Sequence, residues 1–483
     1  MSDSRDKRRK RVVVIGGGIS GLAATHRLLE LGSQRENPPE VTLLEASSRT
    51  GGIIRTTLRE GFLLEGGPDS FISEKPEAVA LAKRLGLVSR LLQTNTSHRG
   101  SFIVRKGRLR AVPEGFQLLA PSRFWPFVTT GIFSLKGKAR MALDLVLPRR
   151  TAASGGDDDE SLAQFVRRRL GCEALERMAQ PMVGGIYTAD PERLSLRATM
   201  PRFLEMERAH GSVIRAMWRQ GRKQQAAKGT SGPRYSLFLS FDEGMSVLSD
   251  ALAARLDAAD VRLKTKALKL AQDAASGRWQ IRLEAGDTLA ADAVCLALPA
   301  YASAKLLDEA DAQLAAELDA IPYASTATVN LAYRRSDIPH KLDGFGFVVP
   351  FVERRSILAC TFSSVKFAGR APAGHALLRA FVGGALQPEM FALDEEEMVE
   401  AARRDLRELL GIEAAPLFTH TEKWPRSMAQ YHLGHLERVA GIRERLRELP
   451  GLKLAGNAFD GAGIPDCVRS GETAAEELMR NAE

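Results

Sequence analysis

Three glycines near the start of the chain, Gly16, Gly18 and Gly21, follow the pattern G-x-G-x-x-G. They come directly after four apolar residues at positions 12–15, which predict a buried strand, and before leucines at helical spacing, which predict a helix. Glycine lets such a turn approach a pyrophosphate closely, and the helix that follows directs unpaired N–H groups toward it. The pattern therefore predicts a site for the phosphates of a dinucleotide.

A carboxylate stands where such a site needs one. Residues 41–44 form a second apolar run that ends at Glu45, 24 residues after Gly21. The usual interval is about 20 residues, and a hydrophilic loop at positions 33–40 accounts for the excess. A carboxylate there accepts hydrogen bonds from ribose hydroxyls and repels a 2′-phosphate. A structural glycine turn followed by an unrelated glutamate stays open as the alternative.

The segments after Glu45 favour FAD over NAD. Arg49 and the glycine pair after it complete a Glu-x-x-x-Arg-x-Gly-Gly pattern, which resembles that of the amine-oxidase superfamily of flavoproteins. An apolar run at 292–299 and small residues at 454–466 predict further segments that return to the nucleotide domain, and a long FAD molecule needs such a second set of backbone contacts. We expect non-covalent binding, because no cysteine or histidine except Cys467 has a motif reason to lie beside the flavin ring.

Residues 118–150 are apolar with scattered cations, and they include Phe124 and Trp125. This composition is typical of the buried lining or lid of an apolar pocket, which is the interpretation we favour. It is also compatible with weak contact with a membrane surface.

From about residue 320 onward the pattern is typical of strands. Several apolar runs alternate with turns, at 328–333, 345–351, 357–362 and 377–382. They predict an antiparallel sheet that would roof a substrate pocket.

The chain lacks the residue patterns of hydrolases and zinc proteases. It contains no G-x-S-x-G and no H-E-x-x-H motif. His432 and His435 are spaced as i and i+3, but no other ligand accompanies them, so a polar loop is the favoured interpretation. We therefore expect no metal, and we expect the cofactor to carry the chemistry while the protein orients the substrate in a dry pocket.

The composition excludes several classes of protein. The 483 residues, 44% of them hydrophobic, fit a globular protein of several domains. No stretch reaches the ~18 uninterrupted apolar residues of a membrane span, and the basic residues before position 12 predict a solvated flank, not a signal peptide. The net charge of +9 suits an anionic substrate, whereas scattered cations without a reader motif argue against nucleic acid. Four cysteines far apart in the chain favour a reducing compartment, and hence the cytoplasm.

Further segments resemble the oxygen-dependent porphyrinogen oxidases of haem biosynthesis, which are the protoporphyrinogen oxidases and their coproporphyrinogen-oxidising relatives. The segments read GGPDSF, GGIY, GFG, QYHLGH and GIPDC, and they lie at positions 66–71, 184–187, 344–346, 430–435 and 463–467. The similarity extends in order from residue 11 to residue 480. These motifs are specific jointly, although the first glycine cluster alone is not.

The resemblance implies an α/β (α+β) fold with a Rossmann-type FAD-binding domain, interrupted by a mixed-sheet substrate domain and a helical domain. The implied FAD-binding domain comprises residues 1–97, 242–300 and 447–483. The implied helical domain comprises residues 98–204, and the substrate-binding domain comprises 205–241 and 301–446. The implied reaction removes six electrons from the macrocycle in three two-electron steps, with hydride passing to flavin N5 and dioxygen reoxidising the flavin to give hydrogen peroxide.

The resemblance also implies site residues by position. The implied FAD contacts are Gly16, Gly17, Gly18, Ile19, Ser20, Gly21, Glu45, Ala46, Arg49, Gly52, Ile53, Gly67, Pro68, Asp69, Ser70, Ala267, Asn457, Ala462, Gly463 and Ile464. The implied substrate positions are Gly185, Val348, Thr361 and Phe381, with Gly185 near the reacting carbon. Ordinary core packing of these four residues stays open.

Three residues favour the branch of the family that oxidises coproporphyrinogen III. Many protoporphyrinogen-specific members carry an arginine where Ser101 stands, and Ser101 together with Asp69 and Lys75 looks more like the Gram-positive-type branch. Coproporphyrinogen carries four propionates instead of two, and the cations Lys75 and Arg99 are the candidates to bind them. A protoporphyrinogen IX oxidase, a flavin amine oxidase and a non-enzymatic interaction protein are the alternatives.

Overall fold

Five parallel strands form one sheet of the computed structural model, which describes residues 8–98, 100–113, 116–117, 120–150, 159–226 and 237–480. In spatial order the strands are Asp260–Arg262, Glu40–Leu44, Arg11–Ile15, Ala293–Leu296 and Leu452–Leu454. The apolar runs at 12–15, 41–44 and 292–299 all contribute to this sheet. The Rossmann-type fold predicted from the sequence is confirmed.

Alternate residues of the strand Arg11–Ile15 pack on opposite faces of this sheet, because side chains of a strand point alternately to its two sides. Val12 and Val14 join a core with the helix Ile19–Gly32, here the first helix, and the helix Ile464–Arg480, here the last helix. The other two apolar residues of the strand join a second core on the opposite face. Burial on both faces explains why this run is continuously apolar.

Seven strands form a second, mixed sheet. In spatial order they are Phe418–Ala429, Tyr323–Arg334, His375–Gly383, Ile357–Phe362, Gly346–Val348, Phe102–Arg105 and Arg108–Ala111. Neighbours are antiparallel as predicted, except that Gly346–Val348 and Phe102–Arg105 run parallel. The helix Glu395–Leu410 packs apolar side chains against one face of the sheet, and the other face contacts the backbone of Gly66.

A cluster of helices forms the third part. Its helices are Phe124–Thr129, Leu135–Ala142, Leu162–Arg169, Cys172–Ala174, Gln180–Tyr187, Leu196–Thr199, Pro201–His210 and Val213–Ala226, with a π-helical turn at Leu175–Ala179. Ser161 and Gln164 form a capping box at the start of the helix Leu162–Arg169, which satisfies N–H groups that the helix leaves free. The buried Arg169 donates a 2.6 Å hydrogen bond to the buried Asp144, so its charge is compensated inside the cluster.

The backbone pairing divides the chain differently from the expected ranges at two points. The strand Phe102–Arg105 falls within 98–204, the range expected to be helical, but its backbone pairs with Gly346–Val348 and places it in the seven-stranded sheet. The helices Pro201–His210 and Val213–Ala226 continue the helical cluster past residue 204, because their apolar side chains are buried in its core. The remaining division into three domains stays a prediction.

Shorter elements connect these parts. The strands are Thr56–Arg59 with Phe62–Glu65, Phe71–Ile72 with Phe238–Phe241 and Leu91–Gln93, Phe116–Gln117 with Ala120–Pro121, and the meander Ala267–Gln272, Trp279–Leu283 and Thr288–Ala291. The α-helices are Glu77–Arg84, Ser246–Ala253, Ala300–Leu307, Ala312–Asp319, Ser363–Lys366, Pro388–Ala392 and His435–Leu446. Short 3₁₀ turns lie at Val88–Arg90, Leu143–Leu145, Arg335–Asp337 and Phe351–Glu353.

The aromatic stretch predicted to line a pocket is divided between core and surface. Phe127 and Phe133 are buried in the helical cluster, whereas Phe124 is 53% and Trp125 is 73% exposed. The prediction of a buried lining is therefore wrong for the latter two, because the short helix that carries them turns one side outward. Residues 118–119 of this stretch, like the first seven of the chain, lie outside the described residues. None of the described helices is long and apolar enough to cross a membrane.

Candidate functional site

Close packing requires glycine at two positions around the start of the first helix. A Cβ on Gly16 would lie 2.4 Å from the carbonyl oxygen of Ala297, and a Cβ on Gly21 would lie 1.8 Å from that of Gly16. A Cβ on Gly18 would instead meet no described atom within 4 Å. Gly18 is the N-cap of the first helix, and no described side chain caps that end. The helix N-terminus therefore offers unpaired N–H groups to an anion.

Glu45 lies beside this turn. Its carboxylate accepts a 2.7 Å hydrogen bond from the N–H of Gly17 and another of 2.7 Å from the N–H of Ser47. A carboxylate accepts about four hydrogen bonds, so capacity is left for ligand hydroxyls. The N–H of Thr265 donates to the Glu45 carbonyl oxygen at 2.9 Å, which brings the half-buried Ala267 close to it. The predicted ribose acceptor and the small apolar Ala267 therefore lie on adjoining segments.

Arg49 stabilises the loop that follows Glu45. Its guanidinium donates to three carbonyl oxygens of residues 50–54 at 2.6–3.1 Å. The N–H of Gly51 donates to the carbonyl oxygen of Gly17 at 2.8 Å, so the loop rests on the glycine turn. Burial lowers the pKa of Arg49, but an arginine stays charged at any physiological pH. The loop therefore holds a positive charge next to the turn predicted to bind a pyrophosphate.

The segment around Gly67 joins this loop to the seven-stranded sheet. A Cβ on Gly67 would lie 1.7 Å from the carbonyl oxygen of Ile53, so only glycine fits there. The Thr328 hydroxyl and the Trp424 indole N–H both donate to the carbonyl oxygen of Gly66 at 2.9 Å. This segment is therefore the contact between the predicted cofactor site and the second sheet.

Asp69 follows Gly67 and Pro68 in the same segment. Its carboxylate accepts two hydrogen bonds of 2.9 Å from the Lys366 ammonium and one of 2.7 Å from the Ser70 hydroxyl. Burial opposes its ionisation, but the positive charges of Lys366 and Arg379 prevail and hold the pKa of Asp69 well below its ordinary value. Asp69 is therefore a fixed negative charge that is already paired.

The last helix begins at Ile464, directly after Ala462 and Gly463, and touches the first helix. A Cβ on Gly471 would lie 2.1 Å from the carbonyl oxygen of Ser20, so a larger residue would separate the two helices. Ile464 precedes Gly471 by two helical turns, or about 10 Å along the axis. The N-termini of the first and last helices are thus spaced to serve an elongated ligand such as FAD.

The other predicted cofactor residues lie on the same path. Ile19 and Ser20 open the first helix, and Ala46 follows Glu45 at the surface. The Asn457 amide donates to a carbonyl oxygen of the seven-stranded sheet at 3.1 Å. The predicted residues therefore form one connected surface that fits FAD, and the contact of each of them with the cofactor stays a prediction.

The predicted substrate positions lie together beside this surface. Val348 pairs with Ala359, which pairs with Phe381, and Thr361 lies two residues beyond Ala359 on the same strand. Residues two apart in a strand share a face, so these side chains project from the same side of the sheet. Gly185 belongs to the helical cluster, and a Cβ on it would lie 3.9 Å from Cγ1 of Val348. The four positions thus meet between the helical cluster and the sheet.

Lys75 is paired within the protein. Its ammonium donates to both carboxylate oxygens of Asp466, at 2.7 and 2.6 Å, in the first turn of the last helix. Arg99, the second predicted carboxylate anchor, lies outside the described residues. Ser101 is half-buried and accepts a backbone hydrogen bond of 2.8 Å from Val112. Of the proposed anchors, the structure therefore describes only Lys75, and it is held at the start of the last helix.

Sequence reasoning missed two cations of this site. Both Lys366 and Arg379 act on Asp69, yet neither belongs to a recognised motif. A signal for Arg379 was present, since it is the single charged residue within the apolar run 377–382. Lys366 ends a short helix after a strand and has no distinguishing pattern.

His432 and His435 sit in a packed environment. Within the described part of the chain, no group of three His, Cys, Asp or Glu side chains is placed to hold a metal ion. The His435 ring stacks on Tyr431 with 4.2 Å between the ring centroids. Burial lowers the pKa of each histidine to about 4, so both are neutral at physiological pH.

Cys467 lies in the first turn of the last helix. The residue is buried, and burial raises the pKa of its thiol to about 12. A protonated, buried thiol is a poor nucleophile, which agrees with the expectation of non-covalent flavin binding.

Comparison with known proteins identifies the family. Residues 19–479 match the profile of the flavin-containing amine oxidoreductases. The chain belongs to this family. It is an FAD-dependent oxidoreductase, and the predicted cofactor is thereby confirmed.

Members of the family with specific names resemble the whole chain. The coproporphyrinogen III oxidase of Bacillus subtilis is 36% identical over 480 residues, which cover 99% of both chains. The chloroplastic protoporphyrinogen oxidase of Nicotiana tabacum is 29% identical. The match covers 96% of this chain and 85% of the tobacco protein. The solved structure of an Exiguobacterium sp. 255-15 protein assigned to the protoporphyrinogen oxidases matches with a TM-score of 0.84 at 31% identity, over 98% of this chain and 99% of that one.

Proposed function

We propose that this flavin-containing oxidoreductase oxidises coproporphyrinogen III to coproporphyrin III in haem biosynthesis. Each molecule would lose six hydrogens to three molecules of dioxygen, giving three molecules of hydrogen peroxide. The B. subtilis relative, named coproporphyrinogen III oxidase, supports this substrate because it matches the chain over 99% of both lengths.

The arrangement of the pocket carries the proposal. Val348, Thr361 and Phe381 share a sheet face, and Gly185 leaves the space above Val348 free of a side chain. A large apolar macrocycle needs such a face, since apolar walls exclude water and hold the ring without specific hydrogen bonds. The face adjoins the segment around Gly67, where the redox-active ring of FAD must lie to exchange electrons with a substrate in this pocket.

Each part of the chain has a role in this reaction. FAD, when bound, accepts the hydride equivalents and passes them to dioxygen. The glycine turn, Arg49 and the N-terminus of the last helix hold the cofactor, while the apolar face orients the macrocycle. The positive rim, for which Lys75 and Arg99 are the candidates, binds propionates that extend from the ring.

Protoporphyrinogen IX is the second candidate substrate. The tobacco and Exiguobacterium relatives carry that name, and the same apolar face would accept a ring with two propionates. An amine substrate is less favoured, because the putrescine oxidase structure is only 18% identical and its TM-score of 0.69 concerns the fold alone.

Steady-state kinetics decide between these substrates. We expect kcat/KM to be higher for coproporphyrinogen III than for protoporphyrinogen IX, measured by porphyrin fluorescence in air-saturated buffer. Peroxide should accumulate at three molecules per porphyrin. A higher kcat/KM for protoporphyrinogen IX would reverse the choice, and turnover of neither porphyrinogen by flavin-loaded protein would reject the proposed function.

We infer a cytoplasmic location with weak contact with a membrane surface. All four cysteines are unpaired, which is typical of a reducing compartment. The exposed rings of Phe124 and Trp125 belong to the same short helix as Val128, whose carbonyl oxygen accepts a hydrogen bond from the Lys138 ammonium, and this combination suits anionic lipid. Sedimentation with anionic vesicles tests the contact, and Trp125→Ser should reduce the bound fraction.

A further inference from the structure

Arg379 is a buried arginine on an interior strand, His375–Gly383, of the seven-stranded sheet. It is only 3% exposed, and its guanidinium donates a hydrogen bond to the carbonyl oxygen of Gly67. Its Nε–H is buried without a hydrogen-bond partner among the described residues. A buried donor of this kind costs free energy unless something accepts from it. The side chain thus has a free, fully buried donor at the junction of the two sheets.

The neighbours of Arg379 place it between the two halves of the site. Its Cα partners across the sheet are Thr361 and Asn330, so it shares the face of the proposed substrate pocket. Its guanidinium carbon lies 4.7 Å from the centroid of the Phe381 ring. On the other side it holds Gly67 in the predicted cofactor segment. The redox-active ring of the cofactor must occupy this junction to accept electrons from the pocket.

No carboxylate of the described residues forms a direct ion pair with Arg379, although Asp69 and Glu65 interact with it at longer range. Two further cations, Lys366 and Arg370, interact with the same carboxylates, and Arg370 also interacts with Asp242. Lys366 pairs directly with Asp69, and burial raises the pKa of Glu65. Arg379 is therefore a buried cation without a direct ion pair among the described residues, and a buried charge acts strongly because water does not screen it.

We propose that Arg379 interacts with the flavin ring and stabilises its reduced form. Two-electron reduction of FAD with uptake of one proton gives a reduced flavin that carries one negative charge. The fixed charge of Arg379 favours that anion, and its free Nε–H is available to donate to the ring. Arg379 thereby raises the reduction potential of the bound cofactor and makes it a better electron acceptor. The inference rests on FAD binding and not on the identity of the porphyrinogen.

The reduction potential of bound FAD tests this role without any porphyrinogen. The potential is measured anaerobically by equilibration with a reference dye, after flavin occupancy has been checked by absorbance. We expect Arg379→Gln to shift the reduction equilibrium at least tenfold toward oxidised flavin, which corresponds to a lowering of about 30 mV for a two-electron couple. Arg379→Lys keeps the charge and should lower the potential less.

Asp69→Asn is the matched variant of opposite sign. It removes a negative charge beside Arg379 with little change in shape, so it should raise the potential. General damage to the site would shift the reduction potential of both variants in the same direction. An unchanged potential in flavin-loaded Arg379→Gln, or a lowered one in Asp69→Asn, overturns the proposal. If Arg379→Gln does not fold, Arg379→Lys and Asp69→Asn decide the question. If the potentials shift as expected but the flavin-loaded wild-type protein does not turn over porphyrinogen, the proposed function fails while the role of Arg379 stands.

Discussion

The ammonium group of Lys75 lies 2.6 Å from the carboxylate of Asp466, although 391 residues separate the two in sequence. Asp466 is buried, and Arg469 donates to it as well, at 2.6 Å. Lys75 is 45% exposed, so it faces solvent on one side and the start of the last helix on the other. A carboxylate of the substrate would have to share this cation with Asp466.

Replacing Lys75 by alanine should raise KM for the porphyrinogen several-fold with little change in kcat, because a remote carboxylate is held equally in the ground and transition states. The increase should be larger for coproporphyrinogen than for protoporphyrinogen and should shrink at high salt. Steady-state kinetics at two ionic strengths measure both effects. Asp466→Asn is the control, since it keeps the ammonium and should not raise KM. Equal increases of KM in both variants would mean that Lys75 only stabilises the last helix and does not bind the substrate.

Glu45→Ala should weaken FAD binding. The substitution removes the acceptor for the Gly17 N–H and for the ribose, and a stranded polar partner costs roughly 1–3 kcal/mol. This corresponds to an increase of about 5- to 150-fold in Kd, measured by titrating apoprotein with FAD and following fluorescence. Glu40→Ala, at the start of the strand that Glu45 follows but exposed and paired with Arg11, should leave Kd unchanged. An unchanged Kd in Glu45→Ala would place the ribose elsewhere.

Gly185→Ala should separate substrate binding from folding. Its Cβ would lie at ordinary contact distance, 3.9 Å, from Val348, so the fold tolerates it. The methyl group would occupy the face proposed for the macrocycle and should raise KM, with FAD affinity unchanged. Gly184→Ala is the matched control, because it gains the same helix propensity, about 1 kcal/mol, but points toward Gln180. A raised KM in both variants would indicate a change in the helix and not a contact with substrate.

Acid should destabilise the protein through His432 and His435. Burial lowers the pKa of each from 6.5 to about 4, so between these values the unfolded chain binds protons that the folded chain does not. The two neutral histidines make their full contribution to the free energy of unfolding above pH 6.5, and this contribution is lost as the pH falls toward 4. The free energy of unfolding by urea should therefore decrease by roughly 1–3 kcal/mol for each histidine over this range. His435→Gln should flatten this dependence on pH.

Local patterns predicted the nucleotide end of the site, because its parts are short and contiguous. The turn after residues 12–15, the carboxylate of Glu45 and the loop of Arg49 each follow from neighbours in sequence. The contacts of Asp69 could not be predicted this way, since Lys366 and Arg379 reach it from strands and helices about 300 residues away. The place of residues 102–105 in the seven-stranded sheet could not be predicted for the same reason, because it depends on a partner near residue 347.

The order of strands in the parallel sheet also constrains how the protein is made. Neighbours in this sheet come from residues 11–15, 40–44, 260–262, 293–296 and 452–454. A nascent chain cannot close the sheet until its last strand and the helix after it have left the ribosome, because local segments alone bury too little surface to hold the early strands. Capture of the cofactor therefore waits until residues 464–480 have been made, and translation that stops before residue 464 should yield chains that bind no flavin.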